Sequence, residues 1–218
     1  MTEKPLDHLV LAAGPNVRIR LRVREDGADE YRWRSDPETS RFDGRPPNKE
    51  PFERFLDAFG YEIAYGRTDR EQFAIETIDG RHIGTVMLYN MDRTGDVAEL
   101  GISIGEPDAR DRGLGREAIT VFLRWVWNNR PVRLIYLHAL DWNERAIRAF
   151  RATGFDDAAR VFRDSQTLLR MEVRREWWLL WEAEGRFAFA STQPAESEPA
   201  GESEPQPPQR PELATSDR

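Results

Sequence analysis

The chain has 218 residues, 39% of them hydrophobic, and a formal net charge of -7 at pH 7. This length suits one well-packed domain and is short for two. The sequence contains no cysteine, which excludes thiolate catalysis, disulfide bonds and zinc sites built from cysteine. Its three histidines, His8, His82 and His138, lack the spacing of metal ligands. We therefore predict no bound metal, and a reducing, cytoplasmic compartment fits this composition.

The distribution of charge and hydrophobicity argues against nucleic-acid and membrane partners. No apolar run approaches 18 residues, so the sequence predicts neither a membrane span nor a signal peptide. Six acidic and two basic residues give the segment 191–218 a charge of -4, which leaves -3 of the total -7 for the rest. The body of the chain is thus nearly balanced and has no basic stripe that would bind a phosphate backbone.

The chain divides into a central domain and two terminal segments. Residues 191–218 are rich in proline, glutamate and serine and contain no aromatic residue, so they cannot bury enough surface to fold and are predicted to be disordered. Residues 1–15 are expected to be flexible as well. This leaves residues 16–190 as the folded domain, and no internal repeat is visible within it.

The first half of the domain predicts strands with a helical insertion. From Val17 to Val23 hydrophobic residues alternate with arginine, the period of a half-buried strand. Residues 25–60 predict two short helices, interrupted by a proline-rich loop. The pair Asp79-Gly80 then separates two strand-like segments and indicates a hairpin. The sequence VAELGISIG supplies the third strand of an antiparallel meander.

The second half predicts a crossover between parallel strands. Apolar residues at helical spacing indicate a helix over about Gly115 to Asn129, followed by the apolar strand RLIYLHAL and a second helix that ends at Gly154. A strand, a helix and another strand in this order imply a right-handed parallel connection. The remainder predicts a final hairpin whose last strand continues into the aromatic-rich sequence WWLLWEA.

The stretch DARDRGLGREAI joins the last meander strand to the following helix. Unpaired N–H groups and the helix dipole make such a helix start favourable for anions. Gly113 and Gly115 permit a bulky anion to approach the backbone, and a phosphate or pyrophosphate is the predicted ligand. Charge-assisted donors would come from Arg110, Arg112 and Arg116. A tight turn with solvated arginines is the alternative interpretation.

The pattern Arg110-x-x-Gly113-x-Gly115 resembles the acyl-CoA pyrophosphate loop of the GNAT acetyltransferases, and it matches neither a Walker loop nor the dinucleotide fingerprint. The sequence ELGISIGEPDARDRGLGREAI is similar to the fourth strand, loop and third helix of that family, and NERAIRAFRATGF is similar to its fourth helix. WRSDPETSRF resembles the RimJ/RimL branch. The resemblance covers Val17 to Trp178. It implies an α/β fold with a central mixed, mostly antiparallel sheet, splayed between strands four and five and flanked by helices.

The resemblance also implies how acetyl-CoA would bind. The pantetheine arm would lie in the gap of the sheet and pair with the backbone of Ile102, Ser103 and Ile104. Asn143 would hold the arm near its thiol end, although this residue also suits a helix N-cap. Phe150 would lie beside the cofactor. The pyrophosphate would bind the loop residues Arg110, Asp111, Arg112, Gly113, Leu114, Gly115 and Arg116.

Glu99 is the best-placed carboxylate for catalysis, either as a base acting through water or as a binder of the substrate ammonium. A purely structural role for Glu99 is the alternative. Phe150 occupies the position at which many relatives carry the tyrosine that reprotonates the CoA thiolate, so the resemblance provides no general acid. Trp33, Asp36 and Phe42 would line the acceptor side, and the two aromatic residues fit the core equally well.

The sequence therefore predicts an acetyl-CoA-dependent N-acetyltransferase that acts on a primary amine, either a protein N-terminus or a small molecule. A non-catalytic acyl-CoA sensor on the same fold is the alternative, which Phe150 keeps open. A nucleotide-binding domain of another fold is a third reading. His138 is interpreted as an ordinary strand residue. The seven tryptophans indicate a buried end of the domain or a homodimer contact.

Overall fold

The structure, a computed structural model, describes residues 9–189. Eight strands form one sheet in the order β1-β2-β3-β4-β5-β6-β8-β7. All neighbouring strands are antiparallel except β5 and β6, which are parallel. The strands are β1 (Val10–Ala13), β2 (Val17–Leu21), β3 (Arg70–Thr77), β4 (His82–Tyr89), β5 (Val97–Ile104), β6 (Leu134–Leu140), β7 (Asp156–Arg163) and β8 (Gln166–Arg174). The predicted mixed, mostly antiparallel sheet is thus confirmed.

Within the described residues, six α-helices flank the sheet. They are α1 (Gly27–Ser35), α2 (Pro37–Phe42), α3 (Phe52–Tyr65), α4 (Leu114–Asn129), α5 (Glu144–Ala152) and α6 (Arg175–Ala183). The helix α4 crosses between the parallel strands β5 and β6, as the sequence predicts. Its apolar face is buried in the main core, where Phe122, Val126 and Trp127 have no exposed surface.

The arginines of β2 give the sheet a second buried face. Val17 and Ile19 point into the main core, whereas the alternate residues point to the opposite face. There Arg20 is only 3% exposed and donates two hydrogen bonds of 2.8 Å to the Asp26 carboxylate. It also binds Glu76 on β3. The predicted half-buried strand is therefore buried on both sides, because the charges of its polar face are paired within the protein.

The expectation of a flexible segment over residues 1–15 is wrong for Val10–Ala13, which pair with β2 as strand β1. Glu117 of α4 binds the turn between β1 and β2. Its carboxylate accepts hydrogen bonds from the backbone N–H groups of Asn16 and Val17, at 2.6 and 3.1 Å. Residues 1–8 and the predicted disordered tail, 191–218, lie outside the described residues.

The helical insertion contains three α-helices rather than the two predicted over residues 25–60. Pro37 begins α2 instead of ending a helix, because Pro is favourable at the first helical position and Asp36 caps this end. The Asp36 carboxylate accepts hydrogen bonds of 2.7 Å from both the N–H and the hydroxyl of Thr39. The third helix, α3, continues to Tyr65.

The aromatic-rich end is helical, so the prediction that the last strand continues into it is wrong. Strand β8 ends at Arg174 and α6 begins with the next residue. Trp178 is fully buried, stacks on Phe187 at 4.9 Å and donates a hydrogen bond to the Thr153 carbonyl. Its neighbour Trp177 is 52% exposed. Trp178 and the partly buried Trp181 both pack on the core, and this spacing of three residues fits a helix, since a strand would turn the two side chains to opposite faces.

Candidate active site

The sheet opens between its two parallel strands. The residues Val97–Glu99 of β5 pair with Leu134–Tyr136 of β6, and the pairing stops there. Beyond this point, residues 100–104 pair only with β4, and residues 137–140 pair only with β8. The predicted splay is therefore confirmed. It lies between the fifth and sixth strands, because β1 precedes the first strand predicted from the sequence.

The loop after β5 presents unpaired backbone donors. Glu117 is the first residue of α4 whose N–H finds a helical acceptor, the Gly113 carbonyl at 3.0 Å. Within residues 9–189, the six N–H groups from residue 111 to residue 116 have no hydrogen-bond acceptor. Asp111 and Gly113 have positive φ angles of 58° and 78°. Such alternation can turn successive N–H groups towards one point, the arrangement called an anion-binding nest, and we refer to residues 111–116 as the nest.

The three arginines of this loop differ in their surroundings. Arg110 is nearly buried and donates to the carbonyls of Ile104 and Gly105, both at 3.1 Å, and to the Thr39 hydroxyl at 2.8 Å. Its guanidinium therefore fixes the loop to β5 and α2 instead of facing the nest, contrary to the predicted phosphate contact. Arg112 and Arg116 are exposed, and no carboxylate among the described residues pairs with either.

The residues predicted to contact the pantetheine arm have different positions. Ile102, Ser103 and Ile104 are partly exposed on the half of β5 that borders the gap, which is compatible with the expected pairing. Asn143 is the N-cap of α5 and accepts a hydrogen bond of 3.3 Å from the Ala146 N–H. Phe150 is buried and packs edge-on against Phe155 at 6.0 Å, so the structure assigns it to the core.

A substitution of Asn143 can separate its role as a helix cap from its predicted contact with the pantetheine arm. We expect Asn143→Asp to preserve the melting temperature, because aspartate caps helices as well as asparagine. The same change removes the amide donor and adds a negative charge, so we expect the affinity for CoA to fall about tenfold if Asn143 contacts the arm, an energy of about 1.4 kcal/mol. Calorimetric titration with CoA measures this. Unchanged affinity would leave Asn143 as a helix cap alone.

The three residues predicted to line the acceptor side differ in position and exposure. Trp33 is buried, donates a hydrogen bond of 2.8 Å to Glu106 and packs against Gly105, so it supports the end of β5 and lines no open site. Asp36 caps α2. Phe42 is partly exposed, and its ring lies 5.8 Å from the Trp142 ring. The prediction for Trp33 as a substrate contact is therefore wrong.

A buried carboxylate and a histidine meet where the sheet opens. The Glu99 side chain is 2% exposed and lies opposite Tyr136, at the last paired position of β5 and β6. His138 lies two residues further along β6, and its Nδ1 is 2.8 Å from Glu99 Oε1. The Tyr89 hydroxyl and the Asn90 amide also donate to the carboxylate, each at 2.8 Å. Three donors thus surround Glu99.

The protonation of this pair follows from its hydrogen bonds. Burial by itself would raise the pKa of Glu99, but the three donors outweigh it and hold that pKa below its usual range. An ionised carboxylate only accepts hydrogen bonds, so the proton of a neutral His138 must be on Nδ1. Its Nε2 then carries a lone pair, and this atom has no hydrogen-bond partner among residues 9–189. The arrangement can therefore accept a proton at Nε2.

This geometry revises the sequence-based roles of both residues. Glu99 is buried and occupied by three donors, which makes it poorly suited to take a proton from substrate directly. His138, interpreted from the sequence as an ordinary strand residue, holds the accessible basic atom. Its side chain is 12% exposed. The signal that could have found His138 is the alternation of side chains along a strand. Residues two apart on a strand share a face, so His138 shares the face of Tyr136, and Tyr136 is the neighbour of Glu99.

The opened sheet and the loop of unpaired N–H groups at the start of the crossover helix agree with the fold that the sequence resemblance implies. Residues 17–156 match the family model described as acetyltransferase (GNAT) domain. The chain belongs to this family of N-acetyltransferases. No curated protein matches the chain.

Two solved structures illustrate the likeness of fold. Spermidine N-acetyltransferase from Vibrio cholerae, in complex with CoA and spermine, is 20% identical with a TM-score of 0.67, and the match covers 75% of this chain and 98% of that one. An aminoglycoside acetyltransferase in complex with coenzyme A is 18% identical with a TM-score of 0.63, and the match covers 77% and 98%. Both enzymes therefore share the fold over nearly their whole length.

The described residues lack a metal-binding cluster and a membrane-spanning helix. Residues 9–189 hold no cluster of three or more histidine, aspartate or glutamate side chains arranged to bind a metal ion. None of the helices in this part of the chain is both long and apolar enough to cross a membrane.

Proposed function

We propose that this protein transfers an acetyl group from acetyl-CoA to a primary amine by direct attack of the amine on the thioester. The observation that carries the proposal is the pair of Glu99 and His138 where the sheet opens. A non-catalytic acyl-CoA sensor needs a binding gap and an anion site, but it does not need an oriented base. The pair therefore favours catalysis over the sensor.

The residues around the gap fit acetyl-CoA, which supplies an activated acetyl group when it is bound. The six unpartnered N–H groups of residues 111–116 would hold its pyrophosphate, with Arg112 and Arg116 as charged neighbours. The unpaired edge of residues 100–104 would hold the pantetheine amides in the manner of an added strand. A backbone N–H of this edge would also polarise the thioester carbonyl.

Proton transfer would pass through His138. At pH 7.5 about a quarter of a terminal amine is neutral, but only roughly one part in a thousand of a lysine amine, so most of the substrate must lose a proton. His138 Nε2 would take one proton from the ammonium before attack and release it to solvent. As the neutral nitrogen then bonds to the acetyl carbon and the carbon–sulfur bond breaks, Nε2 would take a second proton from that nitrogen. Glu99 would hold the imidazole in the required tautomer and stabilise the imidazolium, and the proton would then be available for the thiolate.

The acceptor is either a small-molecule amine or a protein N-terminus. The similar solved structures include enzymes named for spermidine and for aminoglycosides, which supports a small-molecule amine. The segment WRSDPETSRF, with its likeness to the RimJ/RimL branch, supports an N-terminal amine. The proposal also includes the cytoplasmic location and the homodimer that the sequence predicts.

Release of free CoA thiol in the presence of a panel of amines tests the proposed function. The panel should contain polyamines, aminoglycosides, free amino acids and peptides with unblocked N-termini. We expect acetyl-CoA to bind and thiol to be released with at least one class of amine. Tight binding of acetyl-CoA without amine-dependent thiol release from any of them would instead identify the protein as a sensor.

A further inference from the structure

A cavity of about 420 Å³ lies beside the end of β6. Its walls combine the end of α2 and the loop after it, Trp142 just after β6, and Gln166 at the start of β8. The Gln166 amide donates a hydrogen bond of 3.2 Å to the Gly44 carbonyl and joins two of these walls. The cavity is thus built from three separate parts of the chain.

The cavity adjoins the gap that holds His138. Gly44 lies against Leu140, since a Cβ atom at Gly44 would be 3.5 Å from a Leu140 methyl group. Leu140 and His138 are two residues apart on β6 and share one face of the strand. The cavity therefore borders the Glu99 site.

The charge of the cavity is positive. Its lining includes Arg41 and Arg45 and contains no acidic residue. Neither arginine forms an ion pair within residues 9–189, and Arg41 is held over the Trp142 ring at 4.7 Å. Of two acidic residues of the same segment, Glu38 lies 3.7 Å from Arg110, and Asp43 is near Arg45 but forms no ion pair with it among the described residues.

We infer that the acceptor amine also carries a carboxylate, which binds between Arg41 and Arg45 while the amine reaches His138. This inference rests on the proposed function. Guanidinium groups bind carboxylates through charge-assisted hydrogen bonds, and the neighbouring Gln166 and Trp142 add polar and apolar contacts. Polycations such as spermidine would be repelled by the positive charge of the same cavity. This protein therefore shares its fold with a polyamine enzyme but acts on a different class of acceptor.

Matched amine pairs test this acceptor class. The initial rate of CoA thiol release would be compared for β-alanine against β-alaninamide, and for C-terminally amidated peptides that begin Ala-Glu against those that begin Ala-Gln, with spermidine as the polycation. We expect kcat/KM to be about tenfold higher for the acidic member of at least one pair, equivalent to about 1.4 kcal/mol. The first pair reports a free amino acid as acceptor, and the second reports a peptide. Spermidine should be the poorest substrate.

Substitutions of the two arginines test whether they produce the preference for acidic amines. Arg41→Gln combined with Arg45→Gln should abolish the preference for the acidic member, and Arg45→Glu should raise the rate with spermidine. Arg54→Gln is the control, because Arg54 on α3 is 80% exposed and pairs only with Glu50 among the described residues. All substituted residues are exposed, so the melting temperature should not change.

Faster transfer to spermidine than to any acidic amine would overturn the inference and leave the proposed function intact. A preference for acidic amines that survives the double substitution would overturn the placement between Arg41 and Arg45. Absence of thiol release with every amine would instead contradict the proposed function itself.

Discussion

Replacement of His138 by glutamine should lower kcat by about a hundredfold or more at neutral pH, the usual range for loss of a general base. Glutamine keeps a hydrogen-bonding group near Glu99 but has no atom that can take a proton. The affinity for acetyl-CoA should remain the same, because His138 lies at the inner end of the gap and not at the nest of residues 111–116. Stopped assays of thiol release over pH 6 to 9, together with CoA titration, would measure both quantities.

The pH profile distinguishes a base from a structural histidine. The deficit of His138→Gln should shrink as the pH rises and the amine loses its proton unaided. Glu99→Gln should also lower kcat, because an amide cannot hold the Nδ1–H tautomer as a carboxylate does. Tyr89→Phe is the matched control, since it removes one donor to Glu99 and leaves the bond between Glu99 and His138. A deficit independent of pH, or equal for all three variants, would contradict the assignment.

The second large effect is expected from Gly113→Glu, which should weaken CoA binding by about a hundredfold or more, equivalent to about 2.7 kcal/mol. Gly113 lies in the nest with a φ of 78°, and nothing lies within 4 Å of the position of a Cβ atom there. The substitution therefore meets no steric clash in the protein, but it places a carboxylate where the pyrophosphate would bind. Calorimetric titration with CoA would measure the change.

Gly66 offers a control for backbone strain. It has a φ of 69° and is equally open, yet it ends α3, far along the chain from the nest. Gly66→Glu should cost the same small loss of stability as Gly113→Glu, because both force an L residue into a left-handed conformation. Only Gly113→Glu should lose CoA. Equal CoA affinity of the two variants would show that the pyrophosphate binds elsewhere.

Much of the fold was predictable because local periodicity decides it. The helix α4 shows five apolar residues at helical spacing, and the hairpin of β3 and β4 is marked by Asp79-Gly80, whose glycine has a φ of 94°. The prediction for the segment of α6 was wrong because a dense run of tryptophan and leucine fits a strand or a helix equally well. The helical conformation buries Trp178 beside Trp127 and the Thr153 carbonyl, and these contacts with distant residues are visible only in the folded chain.

The nest was predictable for a related reason, whereas the proposed catalytic pair was not. Glycines and a helix start are local features, so sequence alone indicated an anion site around Gly113. The contact between Glu99 and His138 joins residues 39 positions apart and depends on the register of β5 against β6. The role of Arg110 was misjudged because residue type indicates an available charge, while the strand-end carbonyls that capture this guanidinium are visible only in the folded chain.

The separation of β5 from β6 after Glu99 and Tyr136 leaves the second half of β5 with one paired edge and one open edge. Amides on the paired edge exchange their hydrogens with solvent only when the sheet opens, whereas amides on the open edge exchange without such unfolding. A ligand lying along the gap would protect the second group alone. Hydrogen exchange in residues 100–104 would therefore report occupancy of the gap amide by amide, even in variants that no longer turn over.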